Sequence, residues 1–280
     1  MDLQTYRETS LQTWDEMAPG WEDRREWLLG ITGSINEWLA GQVDPQPGQS
    51  ILDVAAGTGD LGFIAAERVG EEGSVLCTDF SPEMLEAARR NGERRGLSNV
   101  EYRVLDAERM DLDDGDVDGV LCRWGYMLMA DPAAALKETR RVLRSGGPLA
   151  FAVWTTPDRN PWAAVPAMML VQRGHMPPPE PTAPGMFAMG DPGRIRELVS
   201  GAGFGEPELE EITVDWRYAN FEDLWDALTR ITGMLAQTIN ALSDDERQAT
   251  RAAIMENVAQ FRDSAGSYTM PGSTWGVLVR

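Results

Sequence analysis

From residue 50 onwards, the chain alternates short apolar runs with stretches that have helical spacing. The apolar runs predict buried β-strands at 50–55, 74–79, 100–105, 118–123 and 148–154. The stretches between them predict helices at 60–69, 82–95 and 132–144. Ser81 and Asp131 each stand before a proline, which is typical of a capped helix start. Alternating strands and helices predict a parallel α/β sheet that is covered by helices on both faces.

The rest of the chain follows other patterns. Residues 1–41 are predicted to be helical and rich in tryptophan, and 155–190 are rich in Pro, Met and Gly, which is typical of a lid or binding loop. Further helical patterns lie at 191–204 and, in two stretches, at 221–264, where Ser243 opens a capping box. The last two strands are predicted at 207–218 and 272–280.

These patterns divide the chain into four expected segments. They are an N-terminal helical cap at 1–49, a cofactor-binding core at 50–154, a lid or substrate loop at 155–190, and the C-terminal part of the sheet at 191–280, which carries the helical insertion 221–264.

The acidic composition limits the classes of partner. The 280 residues include 45 Asp and Glu but 25 Lys and Arg, which gives a formal net charge of −20. Phosphate backbones are bound by Lys and Arg, so we expect no nucleic acid partner, and an anionic membrane surface is disfavoured for the same reason. No apolar run approaches the ~20 residues that a membrane span needs, so we expect no membrane insertion.

The N-terminus and the cysteines indicate a cytoplasmic protein. The first residues lack the basic start and apolar stretch of a secretory signal. Cys77 and Cys122 lie singly in apolar, strand-like runs, which predicts core residues rather than a disulfide framework or a zinc site. We therefore expect no metal, and we draw no expectation about the oligomeric state.

A glycine-rich stretch, LDVAAGTGD, follows from the first predicted strand. Gly57, Gly59 and Gly62 fit the pattern G-x-G-x-x-G, which commonly holds the pyrophosphate of a dinucleotide against the amide groups of a helix N-terminus. The glycines alone therefore suggest a nicotinamide cofactor.

The neighbouring acids favour a different cofactor. A phosphate ~4 Å from Asp53 or Asp60 would be repelled by about 4 kcal/mol at an effective dielectric near 20. S-adenosylmethionine carries a sulfonium, an ammonium, one carboxylate and no phosphate, so its net positive charge fits a pocket of aspartates. Asp79, twenty-two residues after Gly57, is placed to accept hydrogen bonds from a ribose diol. The electrostatics favour S-adenosylmethionine.

The chain resembles the class I S-adenosylmethionine-dependent methyltransferases in three linked stretches: ILDVAAGTGDLGFIAAERVGEEGSVLCTDFSPEMLEAARR, LDAERM and DGVLCRWGYMLMADPAAALKETRRVLRSGGPLAFAVW. The resemblance is to the ubiquinone/menaquinone C-methyltransferase branch (methyltransferase type 11) and covers about residues 14–154. It implies a Rossmann-like, doubly wound sheet of seven strands with an antiparallel last strand, so that 272–280 pairs with 207–217. It also implies that the N-terminal segment TWDEMAPGW closes over the cofactor.

The resemblance also implies a set of cofactor-binding residues. The methionyl part would contact Asp53, Ala55, Gly57 and Gly59, with Trp14 or Trp21 near its end and Arg123 at its carboxylate. The ribose would contact Asp79. The adenine would contact Phe80, Met84, Asp106 and Ala107. Three of these residues have ordinary structural alternatives. Asp53 could merely orient the turn amides, Met84 could be a core residue, and Asp106 could be a helix cap.

The acceptor site is marked only by aromatic residues. Candidates for its wall are Trp124, Tyr126, Trp162 and Phe187. His175, the single histidine, is either a general base or a surface residue. No N-P-P-[YF] motif follows the fourth strand, which disfavours an amide or adenine nitrogen as acceptor, and no cysteine is placed to attack a pyrimidine ring. We therefore expect a small, largely apolar metabolite, such as a quinone or a polyketide, that is methylated on oxygen or carbon.

Three alternatives stay open at this point. An enzyme of the same fold could bind S-adenosylmethionine and catalyse a cyclisation or another reaction without methyl transfer. The glycines alone also fit an NAD-dependent oxidoreductase. A binding module with an inactive site is the third possibility.

Overall fold

One mixed sheet organises the part of the chain that the computed structural model describes, residues 3–180 and 183–280. Its seven strands are β1 (Ser50–Val54), β2 (Ser74–Asp79), β3 (Val100–Val104), β4 (Gly119–Arg123), β5 (Leu149–Trp154), β6 (Glu208–Tyr218) and β7 (Tyr268–Val279). The strand order is β3-β2-β1-β4-β5-β7-β6, and β7 is antiparallel to both of its neighbours. The predicted doubly wound sheet of seven strands with an antiparallel last strand is confirmed, as is the pairing of that strand with β6.

Ten α-helices surround the sheet in the described ranges. They are α1 (Leu3–Asp23), α2 (Arg25–Val43), α3 (Asp60–Val69), α4 (Pro82–Arg94), α5 (Pro132–Val142), α6 (Pro161–Gln172), α7 (Pro192–Gly201), α8 (Phe221–Ile231), α9 (Met234–Asn240) and α10 (Asp244–Val258). Helices α2, α3 and α4 cover one face, while α5 and α7 pack together on the other. None of these helices is long and apolar enough to traverse a lipid bilayer.

The predicted helix starts have the expected capping bonds. The Ser81 hydroxyl accepts a hydrogen bond from the Met84 amide at 3.1 Å, and the Asp131 carboxylate accepts one from Ala134 at 3.0 Å. These bonds satisfy amide groups that lack a partner within the helix, so helix boundaries could be predicted from short polar side chains before a proline.

The C-terminal half differs from the sequence prediction at two places. The segment 155–190, predicted as a loop, contains the 12-residue helix α6. Pro161 suits the first position of a helix, and the burial of Trp162 and Leu170 outweighs the cost of Pro166 within it. The insertion 221–264 forms three helices instead of two stretches, because Gly233 has a φ of +61° and ends the first stretch.

Helix α1 crosses the edge of the sheet at which the parallel strands end. Its Tyr6 hydroxyl donates to the Leu128 carbonyl after β4 at 2.8 Å, and its Asp15 accepts from Ser81 after β2 at 2.6 Å. Near the end of α1, Gly20 lies directly against the backbone of α8. The N-terminal helix therefore covers the loops where ligands bind in α/β sheets.

The contact at Gly20 predicts a matched pair of stability effects. A Cβ atom at Gly20 would lie 2.9 Å from the Arg230 Cβ, so Gly20→Ala must push α1 away from α8 and should destabilise the protein by ~1–3 kcal/mol. Gly30, in α2, has open space around its Cα, and Gly30→Ala should stabilise the protein by up to ~1 kcal/mol through helix propensity. Urea unfolding of both variants measures the difference, and equal effects would contradict the tight α1–α8 contact.

Candidate active site

The turn after β1 leaves the backbone of one glycine accessible. Gly57 has a φ of +55°, and a Cβ atom there would have no described neighbour within 4 Å. Ala55, two residues earlier, is also left-handed with a φ of +54°, a conformation that an alanine adopts only at a cost. By contrast, a side chain at Gly59 would collide with the Phe63 ring. The turn is therefore held in a strained shape that leaves open space beside the half-buried Gly57.

Asp53 supports this turn from beneath. Its Oδ2 accepts a hydrogen bond from the Gly62 amide at 2.8 Å, and the residue is only 1% exposed. Burial raises the pKa of Asp53 to about 7, although the nearby Arg123 guanidinium and the Gly62 amide lower it. A Cβ atom at Gly62 would lie 2.9 Å from this oxygen, so only glycine fits there. Asp53 thus binds the first turn of α3, and its predicted contact with the cofactor stays a prediction.

Asp79 lies next to Gly57 at the end of β2. Its Oδ2 accepts from the Gly57 amide at 3.0 Å, and its Oδ1 accepts from the Ser81 amide at 3.0 Å. Burial raises the pKa of Asp79 to about 6, with Asp15 of α1 adding to the increase and the backbone amides opposing it. Each carboxylate oxygen retains a second lone pair, so the group can accept further hydrogen bonds from a ligand.

Asp60 is paired within the protein. Its Oδ1 accepts from the Arg25 Nε of α2 at 2.7 Å, and its Oδ2 accepts from the Thr58 hydroxyl at 2.9 Å. The sequence argument used Asp60 as an unpaired charge that repels phosphate. The structure corrects that part of the argument, because the Arg25 guanidinium neutralises Asp60.

Arg123, at the end of β4, differs from Asp60 because two of its nitrogens have no hydrogen-bond partner. Its Nε and Nη1 are buried, and no described residue accepts a hydrogen bond from either. Burial lowers the pKa of Arg123, while Asp60 and Asp53 raise it through their charges. The guanidinium carbon lies 5.0 Å from the centre of the Trp124 ring. A buried cation without a hydrogen-bond acceptor is costly, so this group is suited to an anionic ligand.

The residues predicted for adenine lie around the start of α4. Met84 is 2% exposed and packs with Trp14 and Trp21 of α1, while Phe80 is half-buried. Asp106 is exposed, and its Oδ1 accepts from the Glu108 amide at 2.9 Å, so it stabilises the turn after β3; Ala107 beside it is half-buried. Trp21 donates to the Ile231 carbonyl at 3.0 Å. These residues therefore have structural contacts of their own within the protein.

Four tryptophans form a continuous aromatic cluster at the carboxyl ends of β4, β5 and β6. Trp124 stacks on Trp154 at 4.1 Å between ring centroids, and Trp162 stacks on Trp216 at 4.0 Å. The Trp154 ring also contacts Trp162 edge-on at 5.1 Å. We call these four residues the tryptophan cluster. Trp154 and Trp216 were missed as site candidates, although both lie near the ends of strands that the sequence predicts.

The tryptophan cluster does not include the other two predicted acceptor-site residues, Tyr126 and Phe187, or the candidate base His175. Tyr126 has no exposed surface, and its hydroxyl lies 2.7 Å from the Thr139 hydroxyl of α5, so it is a core residue on the opposite face from the tryptophan cluster. Phe187 is half-buried against the core. His175 follows α6 and lies 3.1 Å from the Glu246 carboxylate of α10. Tyr126 and His175 thus have structural contacts, and their predicted roles stay predictions.

The described ranges offer no reactive cysteine at the surface and no metal-binding group. Cys77 and Cys122 are both fully buried, as predicted for core residues. Among the described side chains, no group of three His, Cys, Asp or Glu residues could hold a metal ion. The chemically distinctive groups of the site are therefore the open Gly57 backbone, the Asp79 carboxylate and the Arg123 guanidinium.

Comparison with known proteins agrees with this geometry. A family model described as "Methyltransferase domain" matches residues 51–147. The chain is 36% identical over 120 residues to the ubiquinone/menaquinone biosynthesis C-methyltransferase UbiE of Xanthomonas oryzae pv. oryzae, covering 42% of this chain and 47% of that protein. It is 35% identical over 108 residues to the aklanonic acid methyltransferase DauC of Streptomyces sp. strain C5, covering 39% of this chain and 49% of that protein. The chain thus spans about half the length of these curated relatives.

A solved structure has the same fold over nearly the whole chain. The crystal structure of a putative methyltransferase from Bacillus halodurans aligns with a TM-score of 0.59 and 22% identity, covering 88% of this chain and 98% of that one. The likeness therefore extends beyond the matched domain into the C-terminal strands.

The raised pKa values predict how stability depends on pH. Because the pKa values of Asp53 (about 7) and Asp79 (about 6) lie above the usual 3.8, the folded protein binds more protons than the unfolded chain between about pH 4 and 7. These two groups therefore make the ligand-free protein less stable as the pH rises from 5.5 to 7.5. Asp53→Asn should flatten this slope and stabilise the protein at pH 7.5, by about 1.4 kcal/mol per pKa unit removed. Urea unfolding at several pH values tests this, with Asp113→Asn, an exposed site, as the control.

Proposed function

Because residues 51–147 belong to the class I S-adenosylmethionine-dependent methyltransferase domains, we propose that the whole chain transfers a methyl group from S-adenosylmethionine to a small metabolite. The acceptor is a largely apolar molecule that is methylated on oxygen or carbon. The observation that carries the proposal is the juxtaposition of an open glycine backbone with the Asp79 carboxylate after neighbouring strands.

The residues at this edge fit the cofactor group by group. The Asp79 carboxylate can accept from the ribose hydroxyls while its two backbone bonds stay intact. The open backbone at Gly57 allows the methionyl part to pass close to the chain. The unpartnered Arg123 guanidinium matches the cofactor's carboxylate, a pairing that is charge-assisted and can be bidentate. Phe80, which is half-buried, supplies apolar surface on the adenine side, and Met84, which is 2% exposed, supports this side from the core.

The chain's own contribution to the reaction is positioning and the exclusion of water. When bound, the cofactor would supply a methyl group on a positively charged sulfur: the acceptor would bond to the methyl carbon in line as the carbon–sulfur bond breaks, with S-adenosylhomocysteine as the leaving group. Helix α1 covers this edge through its contacts at Tyr6 and Asp15. Alignment of the two reactants in such a covered site removes much of the entropic barrier. His175 lies 3.1 Å from the Glu246 carboxylate, and we assign no residue as a general base.

The tryptophan cluster supports an aromatic acceptor. Its four indole rings come from three strand ends and the start of α6, and all are less than a tenth exposed. Flat aromatic rings prefer offset-stacked or edge-on contacts with such side chains. The names of two matched relatives refer to ubiquinone/menaquinone biosynthesis and to aklanonic acid. We therefore propose quinones and aromatic polyketides as the first acceptors to test.

Removal of the Asp79 charge should weaken cofactor binding. A charged hydrogen bond contributes ~1.5–3 kcal/mol, so Asp79→Asn should raise the Kd for S-adenosylhomocysteine roughly 10- to 150-fold. Isothermal titration calorimetry measures this effect. The control is Asp113→Asn, which removes one negative charge at an exposed position and should leave the Kd unchanged. Equal affinities of Asp79→Asn and the unchanged protein would place the ribose elsewhere.

Methyl transfer is tested directly by incubation with S-adenosylmethionine and a panel of hydroxyquinones and phenolic polyketides. Mass spectrometry should find an acceptor that gains one methyl group, together with equimolar S-adenosylhomocysteine. An acceptor that rearranges without a change of mass would identify a cyclase-type enzyme instead. Tight binding of NADH, with no binding of S-adenosylhomocysteine, would identify an oxidoreductase.

A further inference from the structure

Three consecutive residues of β7, at 272–274, each hold one ring of the tryptophan cluster. The Thr274 Oγ1 accepts a hydrogen bond from the Trp124 Nε1 at 3.1 Å and donates one to the Val153 carbonyl at 2.6 Å. Thr274 has no exposed surface, and it pairs directly with Trp154, the residue on which Trp124 stacks. The Thr274 hydroxyl therefore fixes the Trp124 ring above its stacking partner.

The backbone of Ser273 holds a second ring through Asn160. Its amide donates to the Asn160 Oδ1 at 2.9 Å, and its carbonyl accepts from the Asn160 Nδ2 at 3.0 Å. The same Oδ1 accepts from the Trp162 Nε1 at 3.2 Å. Asn160 has no exposed surface, so water does not compete for these bonds. The Trp162 ring is therefore tied to β7 at the start of α6.

Gly272 leaves room for a third ring. A Cβ atom at this position would lie 2.9 Å from the Trp216 Nε1 and 3.0 Å from a methyl group of Val214. No described residue accepts a hydrogen bond from this buried Nε1, so packing holds the Trp216 ring in place. A glycine within a strand often marks such a close approach. Any side chain at position 272 would therefore displace the ring.

The ring that Thr274 holds is also next to the cofactor-binding edge. Trp124 directly follows Arg123, whose guanidinium carbon lies 5.0 Å from the centre of the Trp124 ring. The left-handed φ of Trp124, +61°, is a costly conformation that the surrounding contacts must maintain. The bond to Thr274 is one of these contacts, and it connects the sheet to the boundary between the proposed cofactor site and the tryptophan cluster.

We propose that Gly272, Ser273 and Thr274 are positioning residues for the acceptor: by holding three rings of the tryptophan cluster, they determine which flat molecules the site accepts. This inference rests on the proposed function, because it takes the cluster as the wall of the acceptor site. Stacked and edge-on contacts depend on the separation and angle of the rings. A displaced indole should therefore weaken a large flat acceptor more than a small one, since the large one contacts more of the wall.

The Thr274 hydroxyl is tested with a pair of variants. Thr274→Val removes the hydroxyl and keeps a similar shape, whereas Thr274→Ser keeps the hydroxyl. The probe is lawsone, a hydroxynaphthoquinone with two fused rings, titrated by calorimetry into protein saturated with S-adenosylhomocysteine. Thr274→Val should raise the Kd of lawsone roughly 3- to 10-fold, the value of one hydrogen bond, and change the Kd of S-adenosylhomocysteine less than about twofold. Thr274→Ser should restore the affinity for lawsone.

Gly272 is tested by selectivity, with a matched glycine of the same strand as the control. A Cβ atom at Gly276 would lie 2.8 Å from the ring of Trp38, an indole outside the tryptophan cluster. Gly272→Ala should lower the preference for lawsone over the single-ring para-hydroxyacetophenone severalfold. Gly276→Ala crowds an indole to the same extent and should leave this preference unchanged.

The titrations separate this inference from a purely structural role. If Thr274→Val weakens lawsone and S-adenosylhomocysteine equally, or if Gly276→Ala changes the preference as much as Gly272→Ala, these residues only support the fold and the inference is wrong. Should Gly272→Ala not fold, or the single-ring probe not bind, the Thr274 pair decides. An unchanged protein that binds S-adenosylhomocysteine but neither probe also overturns the inference. If it does not bind S-adenosylhomocysteine, the proposed function itself fails.

Discussion

The hydrogen bond from the Gly62 amide to the buried Asp53 carboxylate sets the geometry on which the site depends. A carboxylate buried this deeply is tolerated only with hydrogen-bonding partners, and the start of α3 supplies one at 2.8 Å. This bond draws α3 close to the end of β1, so the connection must turn sharply through Ala55 and Gly57. The open space beside Gly57 and the bond from its amide to Asp79 belong to the same turn.

At this edge of the sheet some charged side chains are paired, whereas the Arg123 guanidinium has no hydrogen-bond acceptor at Nε or Nη1. Asp60 is neutralised by Arg25, and Asp79 is held by backbone amides, so neither carboxylate is simply exposed to a ligand. Selectivity for a cationic, phosphate-free cofactor therefore comes from the arrangement of individual groups more than from the net charge of −20. The N-terminal helices supply Asp15 and Arg25 to this arrangement, which makes them part of the site as well as its cover.

Features set by local chemistry could be predicted from the sequence, and features set by distant contacts could not. The strands, the Ser81 and Asp131 caps and the G-x-G-x-x-G turn depend on residues a few positions apart, and they agree with the structure. The Arg25–Asp60 pair joins residues 35 positions apart, and no pattern in a single sequence marks it. Helix α6 was missed because the burial of Trp162 and Leu170 outweighs the cost of Pro166 within it.

The aromatic residues just after β4 also show what a single sequence cannot predict. Trp124 has a φ of +61°, and this left-handed step directs its ring to the tryptophan cluster while Tyr126 enters the core beneath α5. Composition identifies both as aromatic candidates, but only the backbone geometry separates them. Two side chains that look equivalent in sequence therefore serve opposite faces of the sheet.

The contacts of α1 have a kinetic consequence. This helix is attached at the loops after β2 and β4 and to the surface of α8, so it cannot lift at one end without breaking bonds at several distant points. If ligand exchange requires this helix to move, the attachments that stabilise the fold also set the rate of exchange.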